Sequence, residues 1–266
     1  MPLLNFRDPA RIADPEGVLM RRGVLYRSAQ PHPAADARTV RELQSHGIRV
    51  VIDLRSPEEC QEEWAAVEAA GITVVAAPIA PDDDDAIAGP GISALRTSAD
   101  LGRFYADLAA SAPDAVAAAV RAAAGPGAAL IHCAAGKDRT GLLTALLLEL
   151  VGAPDDKIAD DYVRTSEALP EIFAALAARH PIALNTADDA DTAVADGSRD
   201  ARRAAARGVV PAPLLQAPRE AIEVFLQTVR SRHGNAEGFL LSCGVESAVI
   251  DAFRAKAALS SSVTVG

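Results

Sequence analysis

The chain has few cysteines, few aromatic residues and little positive charge. Its 266 residues hold three cysteines, Cys60, Cys133 and Cys243, far apart and with no Cys-x-x-Cys pair. That spacing fits neither a disulfide framework nor a zinc site, and it favours a reducing compartment. Basic residues number 26 against 36 acidic ones, for a formal charge of −10. The balance argues against nucleic acid or a membrane surface as general partners, since both need basic patches, although it leaves room for one small cationic pocket. Long hydrophobic runs are also missing. The run Leu142–Leu148 is broken by Thr144 and falls far short of the ~20 residues of a membrane span. The opening "MPLLNFRDPARIADP" lacks a basic segment followed by an apolar stretch, so no signal peptide is expected. The expectation is a cytoplasmic protein without metal or other cofactor, with export by a route that needs no cleaved signal left open.

What is abundant is alanine, and half the residues are hydrophobic, which favours helices around a sizeable core. "GVLYRSAQP" (Gly23–Pro31) reads as a short strand running into a loop, and a helix is predicted from Pro33 to His46, stopped by Gly47. "IRVVIDLR" (Ile48–Arg55) is a buried strand by its β-branched run. A helix is then expected from Ser56 to Gly71, with Ser56 as cap and Glu58 and Glu59 complementing the dipole. "ITVVAAP" is a third strand, leading into the acidic, turn-rich "IAPDDDDAIAGPG". Helices over Ser98–Ala110 and Pro113–Ala124 precede the strand "AALIH", and "TGLLTALLLELVG" is a helix apolar nearly all round, hence buried.

Alternating strands and helices predict an α/β fold with a central, mostly parallel sheet flanked by helices. After Gly152 only helices are expected: Pro154–Thr165, Pro170–Ala178, Pro218–Arg232 and Glu246–Ala258. Between them Asn185–Arg207, with five aspartates and four arginines, reads as a solvated segment. No flexible linker divides the chain, so residues 1–266 are expected to form one domain, with a core over about 1–165 and a helical appendage over about 166–266.

The stretch "HCAAGKDRTG" (His132–Gly141) lies where a strand ends and a helix begins, the usual ligand site of such sheets. Backbone amides of Ala134, Ala135, Gly136, Lys137, Asp138 and Arg139 can form a nest for a tetrahedral dianion. Arg139 can add two parallel hydrogen bonds, and Gly136 allows the tight turn. A nucleotide-binding Walker loop fails, because Asp138 follows Lys137 where Ser or Thr must stand, and Ile131 occupies the place of the first glycine. An ordinary cysteine is only about 3% thiolate at neutral pH, and a helix N-terminus with a neighbouring cation raises that fraction. Cys133, six residues before Arg139, can then attack phosphorus in line while the guanidinium holds the equatorial oxygens. Thr140 could hydrogen-bond the departing thiolate. The product would be a phosphocysteine, hydrolysed by water.

Cys133-(x)5-Arg139-Thr140 with His132 before it resembles the active-site loop of the cysteine-dependent phosphatases, in particular the atypical bacterial tyrosine and lipid phosphatases. "NFRD" (Asn5–Asp8), "LYRSAQ" (Leu25–Gln30), "VIDLRS" (Val51–Ser56), "DYVRTS" (Asp161–Ser166) and the C-terminal "GFLLSCGVESAVIDAFR" extend the likeness along nearly the whole chain. The resemblance implies a protein tyrosine phosphatase, metal-independent, acting on phosphorylated proteins and extending to phosphoserine, phosphothreonine and phosphoinositide head groups. The alternative reading is an inactive module that binds a phosphorylated partner.

A phenolic leaving group calls for a general acid. Asp138, inside the loop, is the preferred candidate. The resemblance places a functional aspartate on the loop after the third strand, at Asp82, as a positioning or alternate acid, although Asp83, Asp84 or Asp85 could hold that place. It also implies that Lys137 is a second cation at the pocket edge, suited to polyanionic lipids, and that the helical appendage is a lid with Leu214, Leu215, Ile222 and Phe225 on its underside. His132 is expected to order the loop, and Asp53, Arg55, Arg27 and Ser28 to support it, with Arg27 pairing a loop carboxylate. Tyr162 and Arg164 are read as packing or scaffold residues or, equally, as substrate contacts, and Cys60 and Cys243 as structural unless one lies near Cys133 as a redox partner.

Overall fold

Four strands, β1 (Leu25–Ser28), β2 (Ile48–Asp53), β3 (Thr73–Ala76) and β4 (Ala128–His132), form one parallel sheet in the order β1-β4-β2-β3. The coordinates are a computed structural model that describes residues 3–14, 20–31, 36–60, 64–80, 92, 95–179 and 211–259. Parallel strands need crossovers. Here they contain α2 (Ala37–Ser45) between β1 and β2, α3 (Ala65–Ala69) between β2 and β3, and α4 (Ser98–Ser111) with α5 (Pro113–Ala124) between β3 and β4. The predicted α/β sheet is therefore present, and β4, the strand before the cysteine, is central.

The period-2 alternation of strand side chains divides the core between two faces. Leu25, Val50, Ile52, Ala129 and Ile131 point into a thick helical layer, whereas Val51, Ala128 and Leu130 meet Leu43 of α2 and Val67 of α3 in a thinner one. Ile48 shares the thin face despite its parity, because the pairing with β4 shifts register between Ile48 and Val50. The thick layer includes α6 (Asp138–Leu150), whose residues from Thr140 to Leu148 are all buried, in line with the apolar reading. Around it lie α1 (Ala10–Ala13), α7 (Asp155–Val163), α9 (Arg219–His233), α10 (Ala236–Ser242) and α11 (Ser247–Ala257), while α8 (Leu169–Arg179) sets Leu169 and Ile172 against Ala29 in a smaller cluster.

Several boundaries differ from the sequence expectation for identifiable reasons. The helix expected over Ser56–Gly71 is a single 3-10 turn, Pro57–Glu59, followed by the short α3. Glu59 turns back to accept from the Ser56 amide at 2.9 Å and faces Arg139 instead of continuing a helix. α10 was not anticipated; Asn235 caps it by accepting from the Gly238 amide at 2.8 Å. Ile222 and Phe225, expected under a lid, are fully buried on α9 in the main core, which α9 to α11 share with the sheet. The segment Asn185–Arg207 lies outside the described residues. Among the described residues no helix is long and apolar enough to cross a membrane.

Candidate active site

The strand register sets the centre of the site. Ser28 of β1 and Asp53 of β2 both pair with His132, so the ends of three strands meet where Cys133 leaves the sheet. Cys133 is buried, and the chain turns through residues 134–137 before α6 begins at Asp138. Gly136 has φ +65°, and a Cβ there would sit 2.2 Å from the Ser28 carbonyl oxygen, so both backbone conformation and space require glycine. The Gly136 carbonyl accepts from Arg27 Nη2 at 2.8 Å and from Asn5 Nδ2 at 3.0 Å, while the Ala134 carbonyl accepts from the Gln30 amide at 3.1 Å. The amides of Ala134 through Arg139 donate to no backbone carbonyl among the described residues. Such a run of free N–H groups at a helix N-terminus is a cradle for an anion.

Arg139 completes the cradle, and its aim is set by Glu59. Nη1 and Nη2 donate to the two Glu59 carboxylate oxygens at 2.5 and 2.7 Å, and Nη1 also reaches the Leu54 carbonyl at 3.3 Å. Of the five N–H donors of a guanidinium, three are thereby engaged. The two left over, on Nε and Nη2, lie side by side along one edge, the geometry that grips a phosphate bidentately. Burial opposes the Arg139 charge, but the bond to Glu59 and the nearby Cys133 and carboxylate charges hold its pKa above the ordinary arginine value. Glu59 stays below the ordinary carboxylate range for the reciprocal reason: burial works against its charge and the Arg139 bond outweighs it. Sequence reading assigned Glu59 only to a helix dipole. Its partner is 80 residues away, and no local pattern announces it.

Below the loop, Arg27 is wholly buried and pairs with Asp161 of α7 at 2.5 Å. Arg7 joins the same carboxylate at 2.7 Å, and burial together with the Arg27 charge pushes its pKa down to about 10. Burial disfavours the Asp161 charge, yet the two arginines hold its pKa below the usual range. Arg27 was expected to pair a carboxylate of the loop itself. It instead bonds a helix carboxylate and the loop's Gly136 carbonyl, so it carries the loop on a buried ion pair.

On the other side, Arg55 grips Asp53 through Nη2 at 2.8 Å and Nε at 3.0 Å, and its Nη1 reaches Gln30 Oε1 at 2.8 Å. Cys60 Sγ donates to Asp53 Oδ2 at 3.2 Å. His132 Nδ1 lies 3.3 Å from the Cys133 carbonyl oxygen, and its Nε2 faces Asp53 at 3.7 Å, beyond hydrogen-bond length. Complete burial lowers the His132 pKa and keeps the ring neutral. Thr140 Oγ1 and Ser28 Oγ are buried and have no hydrogen-bond partner among the described residues. Cys243 is remote in kind: burial pushes its thiol up to about 11.

Lys137 is not at the pocket edge. Its ammonium is buried and donates to the Leu214 carbonyl at 2.5 Å and the Gln216 carbonyl at 2.7 Å, with Asp138 Oδ1 at 3.2 Å. Two hydrogen bonds and one ion-pair contact thus hold the ammonium inside the protein. The acceptors lie 77 and 79 residues further on, so the sequence alone showed only a free cation beside the loop. Asp138 Oδ1 also accepts from the Tyr105 hydroxyl, a contact that sequence reading missed because Tyr105 lies mid-helix on α4. Tyr162 is buried behind Tyr105, and Arg164 makes a surface pair with Glu167. Asp82 and its three acidic neighbours lie outside the described residues. Among those described, no group of three or more His, Cys, Asp or Glu could hold a metal ion.

A parallel sheet whose central strand delivers Cys-(x)5-Arg into a ring of free amides defines a cysteine-dependent phosphate-binding α/β protein. Residues 2–258 match the tyrosine phosphatase family, and the chain belongs to that family. It is 30% identical over 281 residues to the triple specificity protein phosphatase PtpB of Mycobacterium tuberculosis, covering 94% of this chain and 95% of that one. A Cupriavidus necator protein named "Putative tyrosine-protein phosphatase" is 34% identical over 167 residues, a match spanning 61% of this chain and 60% of the relative. A crystal structure of P. aeruginosa TpbA in complex with pTyr covers 65% of this chain and 88% of that one at 19% identity, with a TM-score of 0.32, too low a likeness to carry an argument.

Proposed function

We propose that the protein hydrolyses phosphate monoesters, phosphotyrosine in proteins foremost, through a phosphocysteine intermediate. The observation that carries this reading is the junction of Cys133, the free amides of residues 134–139 and the open Nε–Nη2 edge of Arg139. A dianionic phosphate seated there places phosphorus over Sγ. A sulfur lone pair forms the S–P bond as the P–O bond to the tyrosine breaks, and Asp138 passes its proton to the departing oxygen. Asp138, now ionised, takes a proton from water, which attacks phosphorus and releases phosphate and the thiolate. The Thr140 hydroxyl, buried and without a partner among the described residues, would be free to donate to that thiolate.

Para-nitrophenyl phosphate turnover in the presence of EDTA tests the class. Cys133→Ser should lower kcat by about three orders of magnitude or more, and rapid acid quenching of the parent should trap covalent phosphate on Cys133. Binding of phosphotyrosine peptide without turnover would instead establish the inactive-module reading. Asp82→Asn beside Asp138→Asn decides which carboxylate is the acid, since loss of the true acid lowers the rate about 10²–10⁴-fold for phenolic leaving groups. Phosphoinositide hydrolysis would need cations other than Lys137, which is buried and held by two carbonyls and the Asp138 charge. A panel of phosphoinositides and phosphopeptides therefore should favour the peptides.

A further inference from the structure

Tyr105 is fully buried on α4 and donates its one hydroxyl proton to Oδ1 of Asp138. An ionised carboxylate only accepts, so the second contact, between the Tyr105 and Tyr162 hydroxyls at 2.8 Å, must have Tyr162 as donor. The chain of protons runs from Tyr162 to Tyr105 to Asp138. Burial first, and the Asp138 charge second, hold both phenols above the ordinary tyrosine pKa, so they stay protonated at neutral pH. Tyr162 cannot drift: a Cβ on Gly141 would lie 2.8 Å from its Cδ2, so its ring rests directly on the backbone of α6.

Lys137 Nζ approaches the same Asp138 oxygen at 3.2 Å. Oδ1 thus faces two donors, whereas Oδ2 has no hydrogen-bond partner among the described residues. When the acid is protonated, the hydrogen belongs on the oxygen that is not already accepting from others. The side chain of Asp138 is 27% exposed, so water could solvate it without help from a buried pair of phenols. Their contact therefore orients the carboxyl group more than it satisfies it.

We infer that Tyr105 is a positioning residue of the reaction: by holding Oδ1 it fixes the Asp138 side chain and leaves Oδ2 as the oxygen that delivers the proton to the leaving group. The inference rests on Asp138 being the general acid. Tyr105→Phe, Asp138→Asn and the double variant, assayed on aryl phosphates from dinitrophenyl to unsubstituted phenyl, test both separately. Tyr105→Phe should lower the ratio of kcat for phenyl to dinitrophenyl phosphate about tenfold, the effect of roughly one hydrogen bond, with KM within about twofold. In the Asp138→Asn background it should change that ratio no further. An equal loss on every leaving group, or the same loss without Asp138, overturns the inference and leaves Tyr105 as packing. If Asp138→Asn itself shows no leaving-group dependence, the acid assignment fails instead. Should Tyr105→Phe prove unstable in a thermal melt, Tyr162→Phe keeps the contact to Asp138 but removes its support. It should shift the same ratio in the same direction by a smaller factor, and an unchanged ratio counts against the inference.

Discussion

Two arginines meet the phosphate loop from opposite sides, and they are held in opposite ways. Arg27 lies beneath it with no exposure, locked to Asp161, and spends a donor on the loop's own carbonyl. Arg139 stands at the end of the loop with its side chain 16% exposed, paired to a Glu59 side chain that is 36% exposed, and keeps one edge open. The first pair is shielded from water on every side, so neither charge survives alone. The second is partly hydrated, so breaking it costs less than breaking the wholly buried pair. One arginine builds the loop, and the other is left available to substrate.

The contrast breaks most visibly at Asp161. Asp161→Asn strands two buried guanidinium groups and should cost about 3–5 kcal/mol of stability, read as a large drop in the urea midpoint, with activity lost along with the fold. Glu59→Ala should do the reverse. Stability should fall by clearly less than in Asp161→Asn, while kcat/KM and vanadate affinity fall about tenfold to a hundredfold because Arg139 loses its aim. Equal loss of stability in the two variants would erase the distinction.

The smallest effect belongs to His132, beside the Asp53–Arg55 pair and the Arg139 charge. Its folded pKa is depressed by burial, so below about 6.5 the unfolded chain takes up a proton that the folded protein refuses. The His132 contribution is complete above that value and is lost as pH falls from it through the lower folded pKa. The urea midpoint should therefore decline between about pH 7 and pH 5.5, and His132→Asn should flatten that decline. Asp53 and Asp161, whose folded pKa values are also depressed, lose their contribution only in more acid solution, below about pH 4.

The parts of this arrangement that were legible in the sequence are those written in local pattern. Ala128–His132 is a short apolar run, Pro113 and Gly125 bracket α5, and the spacing of Cys133, Gly136 and Arg139 carries its own geometry. The partners were not legible. Arg27 finds Asp161 across 134 residues and Lys137 finds carbonyls 77 and 79 residues on. A sequence shows a charge but not which distant group neutralises it. Lys137 therefore read as a substrate cation and Glu59 as an ornament of a helix, and Tyr105 drew no reading beyond its place in the predicted helix Ser98–Ala110.

The Gly136 carbonyl has one more effect. A trans peptide points its C=O and the following N–H in opposite directions. Because Arg27 and Asn5 draw that oxygen downward, the amide of Lys137 must face up into the cradle. The polarity of the nest is thus dictated from underneath, by a residue near the start of the chain. Were Asn5 and Arg27 both replaced by alanine, nothing would stop the peptide plane from rotating, and an incoming dianion would meet an oxygen where it needs a hydrogen.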